Sequence, residues 1–193
     1  MSRMRSFDPR AVGRLECWAW ESYYRRRWVP FLCASVGMVR AAFGMNWPRT
    51  VVGAWLVLRA NQEWAPFPDN DPEAARALMR KFYRLLKRSE RAQFDPRRAA
   101  ELEVEWWRVH REAQHADGSG ASHALVDALR DLYAYTYDVE PSALIAAAAL
   151  RTRAMDVSDQ WVAAGADPLH PLLKEERALL VRSYAALLAA VHR

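Results

Sequence analysis

Apolar residues recur along this chain at the three- and four-residue spacing of helices, in runs most of which open at prolines and close in polar or glycine-containing breaks. Eight such runs are predicted as helices: Pro9 to Trp28, Pro30 to Phe43, Pro48 to Trp64, Pro72 to Arg91, Pro96 to Ala116, Ser122 to Tyr137, Pro141 to Ala164, and Pro168 or Pro171 to the C-terminus. Five Asp/Glu-Pro steps sharpen the assignment. At Asp8-Pro9, Asp71-Pro72, Asp95-Pro96 and Glu140-Pro141 a carboxylate precedes a helical run and can cap its free N–H groups. Proline then takes a first-turn position, where its missing N–H costs nothing. The fifth step is Asp167-Pro168. Gly165 suits the left-handed residue that closes a helix. No alternating strand pattern and no fixed-period repeat competes with this reading. The expected fold is all-α: one domain over residues 1–193, a bundle of about eight helices with mostly antiparallel neighbours and a flexible loop at 117–121.

Composition adjusts the picture in a few places. Nine tryptophans in 193 residues predict a core anchored by aromatic rings, each able to bury roughly 150–250 Å². Cys17 and Cys33 lack the spacing of a zinc site and the density of a disulfide scaffold, and are read as reduced, buried thiols. No apolar leader follows the basic N-terminus, which favours the cytoplasm. The longest uncharged runs, Trp28 to Val39 and Thr50 to Leu58, fall short of the about 20 residues of a membrane span. Arg25-Arg26-Arg27 beside Tyr23, Tyr24 and Trp28 has the composition of an interfacial girdle, so peripheral membrane contact is an alternative.

Charge is polarised. Residues 1–98 carry 19 Lys and Arg against 9 Asp and Glu, and residues 99–193 carry 9 against 14. Basic and acidic helices are expected to face one another, or a basic face is kept for an anionic partner. On the fourth helix Arg76, Arg80, Arg84, Lys87 and Arg91 share one side, broadened by Lys81 and Arg88. Such a ridge fits an acidic protein or an anionic membrane surface. Nucleic acid is not the expected partner, because zinc-finger spacing, RNP-type aromatics and a recognition helix are missing.

The candidate chemistry lies on the fifth helix. Leu102, Trp106, Val109 and Ala113 form one apolar stripe, Ala100, Val104 and Trp107 another, and Glu103 and His110 project between them. Both are expected to be buried, to find polar partners on other helices, and to line a small-molecule pocket. Arg59, Gln62 and Glu63, at the end of an otherwise apolar third helix, are the expected companions. Glu112-Ala-Gln-His115 has the Glu-x-x-His form of a di-metal bundle, but it occurs once, whereas those sites need two such motifs and two more carboxylates. Thr152, Asp156 and Asp159 share one side of the seventh helix, with Arg151 and Arg153 near enough to neutralise them. Asp69-Asn-Asp71 reads as helix capping rather than a calcium loop.

No phosphate loop, nucleophile elbow or His-Glu-x-x-His motif is present. No cofactor and no metal site is expected. The sequence therefore favours a helical binding or interaction protein with a small-ligand pocket between the third and fifth helices. One alternative is an enzyme using Glu103 and His110 for proton transfer, and another is a peripheral protein held on an anionic surface by its basic helix.

Overall fold

A computed structural model describes residues 3–115 and 121–192. Among them it contains eight α-helices and no strand: α1 Pro9–Tyr24, α2 Trp28–Phe43, α3 Trp47–Trp64, α4 Pro72–Glu90, α5 Pro96–His115, α6 Ala121–Tyr137, α7 Ile145–Ala163 and α8 Leu172–Ala190. Most of the expected caps form. The carboxylates of Asp8, Asp71 and Asp95 accept from the backbone N–H groups of Arg10 (2.9 Å), Ala74 (2.9 Å) and Arg97 (3.0 Å). Asn46 does the same for α3 through Arg49 N–H at 3.1 Å.

Two of the acidic-Pro steps behave otherwise. Pro141 opens a short 3-10 turn, Pro141–Leu144, and Glu140 makes no side-chain cap. Asp167-Pro168 starts no helix; Asp167 folds its carboxylate back onto Leu169 N–H in a turn, and α8 begins after Pro171. Arg25-Arg26-Arg27 does not extend α1. Arg25 caps the helix and Arg26 takes a left-handed φ of 55°, turning the chain directly into α2. Of the predicted flexible loop, 117–120 lies outside the described residues, and residue 121 is the first of α6.

Short connections leave successive helices antiparallel. Each helix packs on the next, and α8 returns to pack on α1, so the eight close a ring. The closure depends on a small residue. A Cβ at Gly13 of α1 would stand 2.7 Å from the backbone nitrogen of Val181 on α8, so only glycine allows this approach. The main core runs around the inside of the ring, and a second cluster of Cys17, Ala154, Val157, Trp161, Leu173, Leu179 and Leu180 seals α1 against α7 and α8.

Four tryptophans are buried (Trp64, Trp106, Trp107 and Trp161), whereas Trp18, Trp47 and Trp55 are exposed, so tryptophan is not uniformly a core residue here. Cys33 is also exposed; it lies on the outer face of α2, and only Cys17 is buried. The charge polarity of the two halves is not resolved by facing helices. Among the described residues most ion pairs link positions one helical turn apart, such as Arg97 with Glu101 and Arg108 with Glu105. No described helix is long and apolar enough to cross a membrane.

Candidate functional site

The middle of the ring holds a chamber of about 180 Å³ with wall residues from all eight helices. Its surface is mostly aliphatic and aromatic, interrupted by two hydrogen-bonded polar groups. In the first, Glu103 of α5 accepts from the Tyr83 hydroxyl of α4 at 2.6 Å and from Trp106 Nε1 at 3.1 Å. In the second, Arg151 of α7 donates to a Glu16 carboxylate oxygen on α1 and to the Tyr133 hydroxyl of α6 at 3.0 Å. The guanidinium lies over the Trp106 ring, 4.8 Å from its centroid, which joins the two groups.

The electrostatics follow from burial. Desolvation opposes the charge on Arg151, but Glu16, then Tyr133, Tyr184 and Glu103, hold its pKa well above the ordinary value, so it stays a cation. Desolvation also raises the Glu103 pKa. The Tyr83 hydrogen bond and the Arg151 charge offset this only in part, leaving the carboxyl above the ordinary carboxylate range. Burial raises the pKa values of Tyr83, Tyr133, Tyr137 and Tyr184 too, so their hydroxyls remain donors. Arg151 Nε and Glu16 Oε2 have no hydrogen-bond partner among the described residues. The second carboxyl oxygen and the third donor site of a buried ion pair are thus left unmatched, although Glu16 is only 2% exposed.

A second cavity of about 100 Å³ adjoins the first. Trp20, Phe31, Asn61, Trp106 and Trp107 line both, forming an aromatic partition with one amide in it. His110 belongs to this outer cavity. Its Nε2 is 3.1 Å from Asp159 Oδ2 on α7, and Asp159 Oδ1 accepts from Gln114 Nε2 at 2.6 Å and from the Tyr24 hydroxyl at 3.4 Å. Across the cavity Arg111 donates to the Trp64 carbonyl at 2.9 Å and to the Tyr23 hydroxyl at 3.0 Å. Gln114 is exposed, so the rim reaches the molecular surface.

The structure therefore gives Glu103 and His110 polar partners on other helices, yet sets them in different cavities. A reaction that needs both around one substrate has no support in this geometry. Arg59, Gln62 and Glu63 line neither cavity: Arg59 donates to Gln62 Oε1 and to Glu63 Oε1, both at 2.9 Å, along the outside of α3. Helix three contributes Asn61 and Val57 instead. The reason is rotational, since polar residues arriving at the end of α3 fall on its outer side.

Arg151 does not neutralise surface aspartates, as its neighbourhood on α7 suggested; it is 8% exposed and points inward. The sequence reading missed it together with Glu16, Tyr83 and Tyr133. A signal was present: Glu16 interrupts the stripe Val12, Ala19, Tyr23, and Arg151 interrupts Leu144, Ala148, Met155, each at core-facing helical spacing. A charge in a core register calls for a buried partner.

Other candidates disperse. Glu112 pairs with Arg108, and the His115 ring lies 4.5 Å from Phe67. No cluster of three or more His, Cys, Asp or Glu is placed to hold a metal among the described residues. Asp156 is exposed on α7. Of the basic ridge, Arg76 pairs with Glu73 and Lys87 is half-buried, whereas Arg80, Arg84 and Arg91 are exposed. Comparison of the chain with protein-family models, curated proteins and solved structures gives no match.

Proposed function

We propose that this protein binds a small neutral molecule, one ring in size and carrying a single hydrogen-bonding group, in the central chamber. The observation that carries the reading is Glu103: a carboxyl that accepts from Tyr83 and Trp106 in the wall of a mostly apolar cavity, its pKa raised by desolvation. Each carboxyl oxygen keeps acceptor capacity beyond the bond it already accepts, which suits a hydroxyl or amide N–H on the guest.

Size and charge narrow the class. A cavity of roughly 150 Å³ takes benzene, whereas drug-sized ligands occupy about 300–1,000 Å³. At about 180 Å³ the chamber fits a phenol or an indole rather than a nucleotide or a lipid chain. Arg151 is matched by Glu16, so no surplus charge offsets the desolvation of an ionic guest. The outer cavity, rimmed by Gln114 and His110, provides the route in, past the partition of Trp20, Phe31 and the Trp106–Trp107 pair.

The test is a thermal-shift and calorimetric screen of phenol, indole and benzamide beside benzoate and benzylammonium. Neutral guests are expected to bind and the ions to be refused. Glu103→Leu is expected to weaken phenol while sparing toluene, and Ala42→Phe, which fills the chamber from α2, to abolish both. Failure of every neutral guest to raise the unfolding midpoint, or equal binding by the filled variant, would remove the chamber as the site.

A further inference from the structure

Away from the chamber, one part of the ring's outer wall combines apolar and cationic surface. α3 turns Trp47, Val51, Val52 and Trp55 outward, each more than half exposed. The stripe runs for roughly 12 Å along the helix. Its opposite side is fully used: Gly53 lies against Phe82 and Val39, and Ala54 and Leu58 are buried. The exposed tryptophans are therefore a second apolar face of α3, not a loosely packed edge of the core. Contiguous exposure of large apolar residues marks an interaction surface.

Helix α3 packs between α2 and α4, with Trp47 toward α2 beneath Arg40 and with Val52 and Trp55 exposed on the outer side. Phe82 leans toward α2 and α3, 5.9 Å from Phe43, while Tyr83 leans toward Glu103 on α5. At about 100° per residue, Lys81 and Arg88 then stand on the α3 side of the α4 crest and Arg84 at the crest itself. All three are exposed, and none forms an ion pair among the described residues. Packed helices lie about 8–10 Å apart, so the α4 cations stand about one helix spacing from the outward Val52 and Trp55, within the footprint of one flat surface. Arg40, 4.4 Å from the centre of the Trp47 ring, adds another charge at its edge.

We infer that this wall docks on an anionic lipid bilayer, with Trp47, Val51 and Trp55 entering the headgroup boundary and Lys81, Arg84 and Arg88 facing lipid phosphates. Tryptophan is the side chain suited to that boundary, because its ring is apolar and its N–H stays wet. The charge sign selects the lipid. The shape selects a bilayer over a protein: a helix crest is convex and offers no pocket for a partner's anchoring side chain, whereas headgroups conform to it. A second copy would bring the same cations to the contact.

The experiment is co-sedimentation of the full chain with phosphatidylcholine vesicles, with and without phosphatidylglycerol. Binding is expected only with the anionic lipid and is expected to weaken as salt rises. Each cation near such a surface contributes about fivefold. Joint Lys81→Glu, Arg84→Glu and Arg88→Glu substitution is therefore expected to lower partitioning by roughly a hundredfold or more. Trp47→Ser with Trp55→Ser is expected to lower it as well, with the helical circular dichroism unchanged; brominated lipids are expected to quench wild-type fluorescence more than that of this variant. Should a variant fail to fold, the salt dependence and quenching of the wild type decide. No binding to either vesicle, equal binding to both, or full retention by the charge variant would overturn the inference. A wild-type dimer that the tryptophan variant loses would overturn it too, assigning the stripe to a second copy.

Discussion

Glu176 of α8 should make this protein lose stability as pH rises through neutrality. The residue is fully buried, and neither carboxyl oxygen has a hydrogen-bond partner among the described residues. Burial pushes its pKa from 4.5 up to about 8; Cys17 and Ser158 stand close enough to ease the shift but make no hydrogen bond of normal geometry to it. The Cys17 thiol donates instead to the Leu173 carbonyl at 3.6 Å. Below the unfolded pKa, both states hold the proton and the group has no effect on the pH slope. Between about pH 4.5 and 8 the unfolded chain releases the proton while the folded chain keeps it, so each unit lowers stability by about 1.4 kcal/mol. The whole window is worth on the order of 5 kcal/mol, comparable with the roughly 5–15 kcal/mol that holds a domain together. Glu176→Gln removes this group's titration and keeps its shape. Urea unfolding of both proteins from about pH 5 to pH 9 is the assay. The variant should be equal or slightly weaker at the acid end, where its amide remains unsatisfied, and more stable by several kcal/mol at the alkaline end. Parallel curves across the range would show that Glu176 is not a proton-holding group.

The buried ion pair makes a second prediction. Arg151→Met should destabilise by about 3–5 kcal/mol in equilibrium unfolding, because Glu16 would be left without its cation, while Glu16→Leu with Arg151→Met should recover most of that loss. Equal loss in the single and double variants would mean that packing around Trp106, rather than charge matching, sets the effect. Ring closure gives a third. Gly13→Ala should lower stability by about 1–3 kcal/mol, since the added methyl meets the α8 backbone rather than a movable side chain. An unchanged urea midpoint would mean that α1 and α8 part easily.

Among the described residues, helix number, most helix starts and the absence of strands were legible in the sequence because they depend on neighbours. An Asp two or three residues before the N–H it caps, a proline in a first turn, and apolar residues one turn apart are all short-range facts. Glu103 was legible for a related reason: it sits between two apolar stripes of its own helix, which predicts its inward direction whatever the helix packs against. The tertiary structure alone decided what meets it. Tyr83 is 20 residues from Glu103, Asp159 is 49 from His110, and Glu16 is 135 from Arg151. No local spacing encodes those encounters; they arise when α8 closes on α1 and eight inward faces meet around one space. The same closure fixes each helix's rotation, which turned Arg59, Gln62 and Glu63 outward, left Trp47 and Trp55 on the wall, and put Glu103 and His110 on opposite sides of an aromatic partition. A helix's own pattern shows which face is apolar; the cavity that face borders is set by the seven helices around it.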